Sequence, residues 1–201
     1  IDSQRQALRL VSFLESNAPV PDNLLRDPKT ASALDGVWYL QYTAPSDIDI
    51  DDMPAWNPED STEGDAKIDT RKANIQGSVR AGGLTVDTSN RLTTQTIDVS
   101  NQRIENRVEQ DFGIVTVGGS FRVSDTVANR AVVAFEEADI ALNNGFVLKL
   151  GFLFSIIALL RGGIKDNGWL ETTYIDDAMR IGRGNKGSLF VLTRDRDAVQ
   201  P

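Results

Sequence analysis

The stretch RIGRGNKGSLFVLTR, residues 180–194, decides between two folds, because it combines three glycines and several cations with an apolar run. A phosphate-binding P-loop requires G-x-x-x-x-G-K-[ST], in which the lysine directly follows a glycine and a helix begins. Here Lys186 precedes Gly187, and the residues that follow are strand formers. The stretch is therefore interpreted as a hairpin turn and the last strand of a β-sheet. The turn chemistry is assigned to Gly182, Gly184, Asn185 and Gly187.

The composition excludes several classes of chemistry. The 201 residues include no cysteine and no histidine, so disulfides, Ser-His-Asp or Cys-His catalysis and Cys/His zinc sites are impossible. The formal net charge of −8 disfavours nucleic acid, whose phosphates repel an acidic surface. A chain of this length can bury a core and fold by packing alone. No cofactor is expected.

Most of the chain has the pattern of short antiparallel strands. LDGVWYLQYTA, residues 34–44, is rich in β-formers, and the two-residue period places Trp38, Leu40 and Tyr42 on one face. Further segments between residues 72 and 142 alternate with turn signals, and in RIENRVEQ Ile104 and Val108 lie opposite the charged positions. Strands with one apolar and one charged face predict an all-β, antiparallel barrel or sandwich and fit a single curved sheet with one solvated face.

An amphipathic helix is predicted at residues 4–15. Leu8, Val11 and Leu14 form one apolar stripe, and Ser3 is a plausible N-cap. We expect this helix to pack on a core, with a partner helix or a membrane surface as the alternatives. The predicted organisation is an N-terminal helix and linker at residues 1–33, followed by the barrel at residues 34–201.

An acidic loop is predicted at residues 45–66. Asp47, Asp49 and Asp51 suggest a calcium loop, but that pattern needs glycine at its sixth position and glutamate at its twelfth. Counted from Asp47, those positions hold Asp52 and Pro58. The loop is therefore expected to be solvated, and no metal site is predicted.

The segment at residues 145–163 is unusually apolar. It is too short and too interrupted to span a bilayer, which needs about 20 apolar residues. One interpretation is a buried strand with a buried turn or short helix, and the other is an apolar lid at the mouth of the barrel. The second would bring ligand, lipid or a partner into contact with Phe152, Phe154, Ile156, Ile157 and Leu159.

Gly36-x-Trp38, at the start of the first strand, is similar to the G-x-W motif of lipocalins. In those proteins an arginine from a late strand packs across the tryptophan and closes one end of the barrel. Arg194 or Arg183 is expected to do so here through a cation–π contact.

The stretch GWLETTYIDDAMRIGRGNKGSLFVLTR, residues 168–194, closely resembles the end of the plastid lipid-associated protein family, also called plastid fibrillins. The resemblance continues in LESNAPVP, LDGVWYLQYTA, LTTQTIDV, RIENRVEQ and RAVVAFEEA, and so covers nearly the whole chain. The acidic loop and the apolar residues 146–160 depart from the family pattern.

This resemblance implies an antiparallel, lipocalin-like barrel of about eight or nine strands. It also implies a location in a plastid, at the surface of chloroplast thylakoids or plastoglobules, with the transit peptide removed. It implies a hydrophobic small molecule or lipid as partner, such as a prenylquinone or a carotenoid. Relatives of this kind are considered structural or ligand-binding proteins, so an enzyme is not expected.

Two groups of site residues are proposed from these patterns. Strand parity selects a possible ligand-binding lining, although core packing explains each member equally well: Trp38, Leu40, Tyr42, Ile97, Val99, Ile104, Val108, Phe121, Val133, Phe135 and Tyr174. The charged positions of the family motif are expected to form a salt-bridged cluster that holds the closing strands, or to orient a polar head group: Asp176, Asp177, Arg180, Arg183 and Arg194.

Three functions remain open at this stage. The first is a lipid or isoprenoid binder, and the second is a scaffold that docks on a thylakoid protein complex or a lipid-biosynthetic enzyme. The third is an enzyme acting on a lipid inside the barrel, whose acid–base groups would be carboxylates or a tyrosine from the closing strands: Glu171, Tyr174, Asp176 or Asp177.

Overall fold

The computed structural model describes residues 2–18, 20–44, 78–81, 84–87, 91–150, 168–184 and 188–195. Its helical elements are α1 (Asp2–Asn17), α2 (Pro28–Ala31) and a 3₁₀ turn (Ser32–Leu34). The strands are β1 (Gly36–Ala44), β2 (Ser78–Ala81), β3 (Leu84–Asp87), β4 (Thr93–Asp98), β5 (Arg103–Gln110), β6 (Gly113–Val123), β7 (Arg130–Leu142), β8 (Val147–Lys149), β9 (Gly168–Ile175), β10 (Met179–Gly184) and β11 (Leu189–Thr193).

Eight antiparallel strands close into a ring, which we call the barrel. The strand order is β6-β5-β4-β1-β11-β10-β9-β7, and β7 pairs back onto β6. The short strand β8 adds to the other edge of β7, beyond the four residues that pair with β9. The predicted all-β, antiparallel fold with an N-terminal helix is confirmed.

One predicted barrel strand belongs to a different sheet. The strands predicted between residues 72 and 142 include the segment NIQGSVRAGGLTVDT, residues 74–88, which was expected to join the barrel. Its described residues instead form β2 and β3, which pair only with each other in a separate two-stranded sheet.

The buried apolar side chains divide into two clusters. The inner cluster lies inside the barrel and includes Trp38, Ile97, Ile104, Phe121 and Val133, closed at one end by Leu24, Leu25 and Leu34. The outer cluster lies between α1 and the outer face of the sheet and consists of Leu8, Val11, Ala44, Tyr174, Ile181 and Leu189. We call the end closed by residues 20–34 the plugged end.

Helix α1 packs on the barrel as predicted. Leu8 and Val11 are almost completely buried in the outer cluster, and Leu14 packs against it. The expected N-cap at Ser3 is wrong, because the helix already includes Ser3 and begins at Asp2. None of the helices formed by the described residues is both long and apolar enough to cross a membrane.

Two β-bulges change which side chains face inward. The register shifts between Leu40 and Tyr42 in β1, so Tyr42 pairs with Val191 and packs against the outer cluster. The prediction that Tyr42 shares the face of Trp38 and Leu40 is therefore wrong. A bulge inserts one residue and reverses the two-residue alternation beyond it. A second shift, beside Ile181, accompanies the outward placement of Tyr174.

The hairpin predicted from residues 180–194 is confirmed, but two of its glycines act differently. Strands β10 and β11 pair, and the Gly184 amide donates to the Ser188 carbonyl at 2.8 Å. Gly182 and Gly184 lie within β10 rather than in the turn. A Cβ on Gly182 would lie 3.2 Å from the Leu170 side chain and 3.3 Å from the Glu171 carbonyl, so close packing explains the glycine. Asn185 and Gly187 lie outside the described residues.

An ion pair fastens α1 to the closing strands. Arg183 donates from Nε and Nη2 to the two carboxylate oxygens of Glu15 at 2.9 and 2.7 Å, and the Thr173 hydroxyl donates to the same carboxylate at 2.6 Å. Both charged side chains are largely buried, with 27% and 17% of their area exposed. This geometry is stronger than an ordinary surface pair, because it is bidentate and shielded from water.

Glu15→Gln is expected to lower the protection of the α1 amides against hydrogen exchange and to cost about 1–2 kcal/mol of helix docking. The neutral amide cannot accept both guanidinium hydrogen bonds, so Arg183 loses its counter-charge. Glu105→Gln, at an exposed position on β5, is the matched control and should leave α1 unchanged. Equal protection in the two variants would show that the ion pair does not hold the helix.

Candidate functional site

Trp38 lies at the centre of the plugged end. Its side chain is fully buried, and its indole Nε1 donates to the Leu34 carbonyl at 2.9 Å. The guanidinium of Arg194 lies 4.1 Å from the centre of the ring. Of the two arginines expected to cover this tryptophan, Arg194 is therefore the correct one. Arg183 is bound by Glu15 instead.

Gly36 allows Arg194 to reach the tryptophan. Gly36 has a φ of +108°, a conformation that favours glycine, and a Cβ there would lie 3.0 Å from Nη1 of Arg194. Arg194 also donates to the carbonyls of Asp35 and Ala33 at 2.9 and 2.7 Å. The Gly36-x-Trp38 motif and Arg194 thus tie the start of β1, the 3₁₀ turn and the end of β11 into one closure.

A polar group lies inside the barrel next to this closure. Arg180 is only 1% exposed, and its Nη2 donates to the side-chain carbonyl of Gln95. Gln95 in turn donates to Asn106 at 2.9 Å. Burial, and then the charge of Arg194, lower the pKa of Arg180 to about 9. Within the described part of the chain no carboxylate pairs with Arg180.

Gln95 and Asn106 were missed in the sequence, although a signal was present. Gln95 falls on the same strand face as Ile97, and Asn106 falls between Ile104 and Val108. A polar residue at an inward position between buried aliphatic neighbours marks an interior hydrogen bond or a ligand contact. Both side chains keep part of their surface accessible, whereas Ile97, Ile104 and Val108 are buried.

The residues proposed as a lining are mostly, but not all, brought together. Five lie in the inner cluster, and three more pack against it. Val108 is buried outside both clusters, while Tyr42 and Tyr174 lie under α1. The first five are Trp38, Ile97, Ile104, Phe121 and Val133, and the three that pack against them are Leu40, Val99 and Phe135.

The expected salt-bridged cluster of the closing strands does not form. Arg180 and Arg183 lie on opposite faces of β10, one inside the barrel and one under α1. Asp177 is exposed at the turn that follows β9, and Arg194 covers Trp38. Residues three apart on a strand point to opposite faces, so one shared cluster was geometrically excluded.

Asp176 organises the turn between β9 and β10. Its carboxylate accepts from the amides of Ala178 and Met179 at 2.8 and 2.6 Å and from the Tyr174 hydroxyl at 2.6 Å. Burial alone would raise the pKa of Asp176, but the hydrogen bonds from Tyr174, Met179 and Ala178 outweigh it and lower the pKa. The hydrogen bond to Asp176, and then burial, raise the pKa of Tyr174.

Asp176→Asn is expected to make stability less dependent on acid pH. A carboxyl group whose pKa is lower in the folded state stabilises the fold above its unfolded pKa of about 3.9, and that contribution is lost as the pH falls through the folded pKa. The difference in urea midpoint between wild type and Asp176→Asn should therefore shrink below about pH 5. Asp177→Asn, at the exposed neighbour, is the control and should follow the wild-type pH profile.

Glu171, another acid–base candidate, is engaged in holding two strands together. Arg130 donates to one Glu171 oxygen from Nε and Nη2 at 3.1 and 2.6 Å, and its guanidinium lies 3.9 Å from the centre of the Trp169 ring. These contacts strengthen the short pairing of β7 with β9, which covers only four residue pairs. Glu171 lies on the opposite strand face from Leu170, which packs against the inner cluster.

An exposed apolar surface lies at the end of the barrel opposite the plug. Phe112, in the β5–β6 turn, is 50% exposed, and Phe146, before β8, is 60% exposed. Val147 and Leu148 are exposed beside Phe146. Asn143 joins the two turns, because its amide donates to the Phe112 carbonyl at 3.1 Å. We call Phe112, Phe146, Val147 and Leu148 the apolar tip.

The apolar tip corrects one interpretation of residues 145–163. A buried strand is wrong for the described part, since all three residues of β8 are exposed. The candidate contact residues Phe152, Phe154, Ile156, Ile157 and Leu159 lie outside the described residues, as do Asp47, Asp49 and Asp51 of the acidic loop.

An antiparallel barrel closed by a Gly-x-Trp motif and a late-strand arginine has the architecture of the lipocalin-like proteins. The chain belongs to the PAP_fibrillin family, whose profile matches residues 1–193. This confirms the resemblance seen in the sequence.

Relatives in several plants match almost the whole chain. A light-induced protein, chloroplastic, of Solanum tuberosum is 26% identical over 96% of this chain. A chromoplast-specific carotenoid-associated protein of Cucumis sativus is 25% identical over 96%, and the probable plastid-lipid-associated protein 1 of Arabidopsis thaliana is 27% identical over 98%. The chain spans 61%, 61% and 64% of these three proteins. No solved structure shows a significant match.

Proposed function

We propose that this protein associates with lipids in a plastid and binds hydrophobic small molecules there, such as prenylquinones, carotenoids or other lipids. Its site of action would be the surface of thylakoids or plastoglobules. The names of the relatives support this proposal, because they describe chloroplastic and chromoplastic proteins associated with plastid lipid or with carotenoid. A binding role rather than an enzymatic one is part of the proposal.

The observation that carries the proposal is the apolar tip. Phe112 and Phe146 expose half or more of their surface at one end of a rigid barrel, and Val147 and Leu148 extend the same surface. Burying these side chains in lipid would contribute roughly 3–5 kcal/mol, at about 1.5–3 kcal/mol for each fully buried large apolar side chain. That suffices for reversible attachment to a membrane surface or a lipid droplet.

The charges beside the apolar tip are compatible with a lipid surface. Asp111, next to Phe112, is paired with Arg91 through two hydrogen bonds, so its negative charge is compensated. Lys149, at the end of β8, is exposed and can extend its ammonium group towards polar head groups.

Partly accessible side chains at inward positions support the proposal that the barrel holds a guest molecule. Leu40, Gln95 and Asn106 occupy inward positions, yet part of each side chain remains accessible to solvent. Inward-facing residues that are not fully covered indicate space beside them, and the walls of such a space would be mostly apolar, as in other small-molecule sites.

The proposal is tested by flotation with vesicles of galactolipid composition that contain a prenylquinone or a carotenoid. We expect the wild-type protein to float with the vesicles and the double variant Phe112→Ser/Phe146→Ser to lose most of this binding. Val37→Ser is the matched control, because Val37 is 43% exposed but lies near the plugged end. Urea unfolding of all three proteins shows whether the fold is retained.

If the double variant floats as well as the wild type, the apolar tip does not bind lipid. A wild-type protein that binds neither vesicles nor the small molecules would contradict the proposed function altogether. A tip variant that keeps vesicle binding but loses a stable protein partner would favour the scaffold alternative.

A further inference from the structure

Arg180 is a buried cation without a counter-charge in the described part of the chain. Its side chain is 1% exposed, its Nε has no hydrogen-bond acceptor, and its side-chain hydrogen bond goes to the neutral amide of Gln95. Its guanidinium also lies 5.2 Å from the centre of the Trp38 ring, a contact that supplies no counter-ion. The charge of Arg194, another cation, lowers the pKa of Arg180 further. An unpaired buried charge destabilises a fold strongly, and packing alone does not require an arginine here.

The surroundings of Arg180 are those of a head-group site. On either side of it the neighbouring strands place Ile175 and Leu192, which belong to or pack against the inner cluster. Gln95 and Asn106, its polar neighbours, keep accessible surface at inward positions. The barrel therefore offers one positive charge with an unpaired Nε donor, two amides and apolar neighbours in the same interior.

We propose that Arg180 binds the carboxylate of an acidic amphiphile whose apolar tail lies along the inside of the barrel. A planar carboxylate matches the guanidinium fork and carries the single charge that neutralises it. A phosphate monoester carries nearly two negative charges and would leave one uncompensated. A neutral head group would leave the cation unpaired. The inference rests on the proposed function, since both place an apolar molecule in the barrel.

The test compares an acidic and a neutral head group on the same oleyl tail, with a prenylquinone as a further neutral ligand. Binding of oleic acid, oleyl alcohol and a neutral prenylquinone is measured by displacement of a fluorescent fatty acid and, for the neutral ligands, by quenching of tryptophan fluorescence. Wild-type protein is expected to bind oleic acid at least 10-fold more tightly than oleyl alcohol, which corresponds to one charge-assisted pair. Acetate at the same concentration should compete weakly, because it lacks the tail.

Arg180→Met is the decisive variant, and Arg107→Met, at an exposed position on β5, is its charge-matched control. Arg180→Met should bind oleic acid 10-fold or more weakly than wild type and no better than oleyl alcohol. Its urea midpoint without ligand should equal or exceed that of wild type, since a buried unpaired charge is removed. Arg107→Met should keep the wild-type preference for the acid.

Several results would overturn the inference. Equal binding of acid and alcohol by wild type would reject the head-group site but leave the proposed function standing, because the barrel would still hold a lipid. Full oleic acid affinity in Arg180→Met, or a much lower urea midpoint without ligand, would assign Arg180 a purely structural role. If no ligand with any head group binds, the inference and the proposed barrel ligand both fail. Competition by acetate as strong as by oleic acid would indicate a free-anion site.

Discussion

Replacing Trp38 by alanine is expected to lower the free energy of unfolding by about 3–5 kcal/mol, the cost of removing a fully buried aromatic side chain. The indole is completely buried, donates to the Leu34 carbonyl and is covered by the guanidinium of Arg194. Its loss leaves a cavity at the point where residues 20–34 close the barrel. Domains of this size are stable by only about 5–15 kcal/mol, so the variant would lose a large fraction of its total stability.

Urea unfolding followed by circular dichroism measures the effect of this substitution. Trp169→Ala is the control, because Trp169 is a tryptophan in the same sheet that is only partly buried and lies under Arg130. Trp38→Phe should cost less than Trp38→Ala, since it keeps most of the apolar volume. If Trp38→Ala were no more destabilising than Trp169→Ala, the plugged end would not be the main support of the fold.

Gly119→Ala is expected to destabilise the barrel by about 1–3 kcal/mol or more, although alanine is normally accepted in strands at least as well as glycine. Gly119 lies at the bulge where β6 pairs with β7, and the register shifts between Gly118 and Gly119. A Cβ at Gly119 would lie 2.1 Å from the Ala134 carbonyl oxygen and 2.8 Å from the Cα of Phe135. Those atoms belong to the backbone, so the strands themselves must move apart.

The neighbouring glycine provides a matched control for this prediction. A Cβ on Gly118 would meet only flexible side chains, those of Glu137 at 3.4 Å and Arg103 at 3.9 Å, so Gly118→Ala should change the urea midpoint little. β6–β7 is the pairing that closes the ring, so Gly119→Ala should also raise amide exchange along β7. Similar midpoints for the two variants would show that the bulge tolerates a side chain.

Local sequence patterns were sufficient to predict the strands and the presence of a closure at one end of the barrel. Alternation in RIENRVEQ correctly separated Ile104 and Val108 from the charged face. Gly36-x-Trp38 predicted a closure of the barrel by a late-strand arginine, and the structure selected Arg194 over Arg183. The candidate site was less predictable, since Gln95 and Asn106 resemble ordinary strand residues until their inward face is known.

The wrong assignments of side chains occurred where a β-bulge interrupts the two-residue alternation or where two strands approach closely. Tyr42 was assigned to the inner face by alternation, and the bulge after Leu40 places it under α1. Gly182 was assigned to a turn, whereas the nearness of Leu170 on the adjacent strand explains it. A bulge or a close approach of two strands depends on the partner strand, which a single segment of sequence does not contain.

The sequence by itself determined the antiparallel strands, the packed N-terminal helix and the Gly36-x-Trp38 closure, because each follows from the alternation or identity of neighbouring residues. Only the tertiary structure decided that Arg183 pairs with Glu15, 168 positions away, and that Arg180 is buried without a carboxylate. The two arginines lie three residues apart in the same motif and look alike in the sequence. Their different environments arise from the alternation of side chains along β10, because one face of that strand lies against α1 and the other lies inside the barrel.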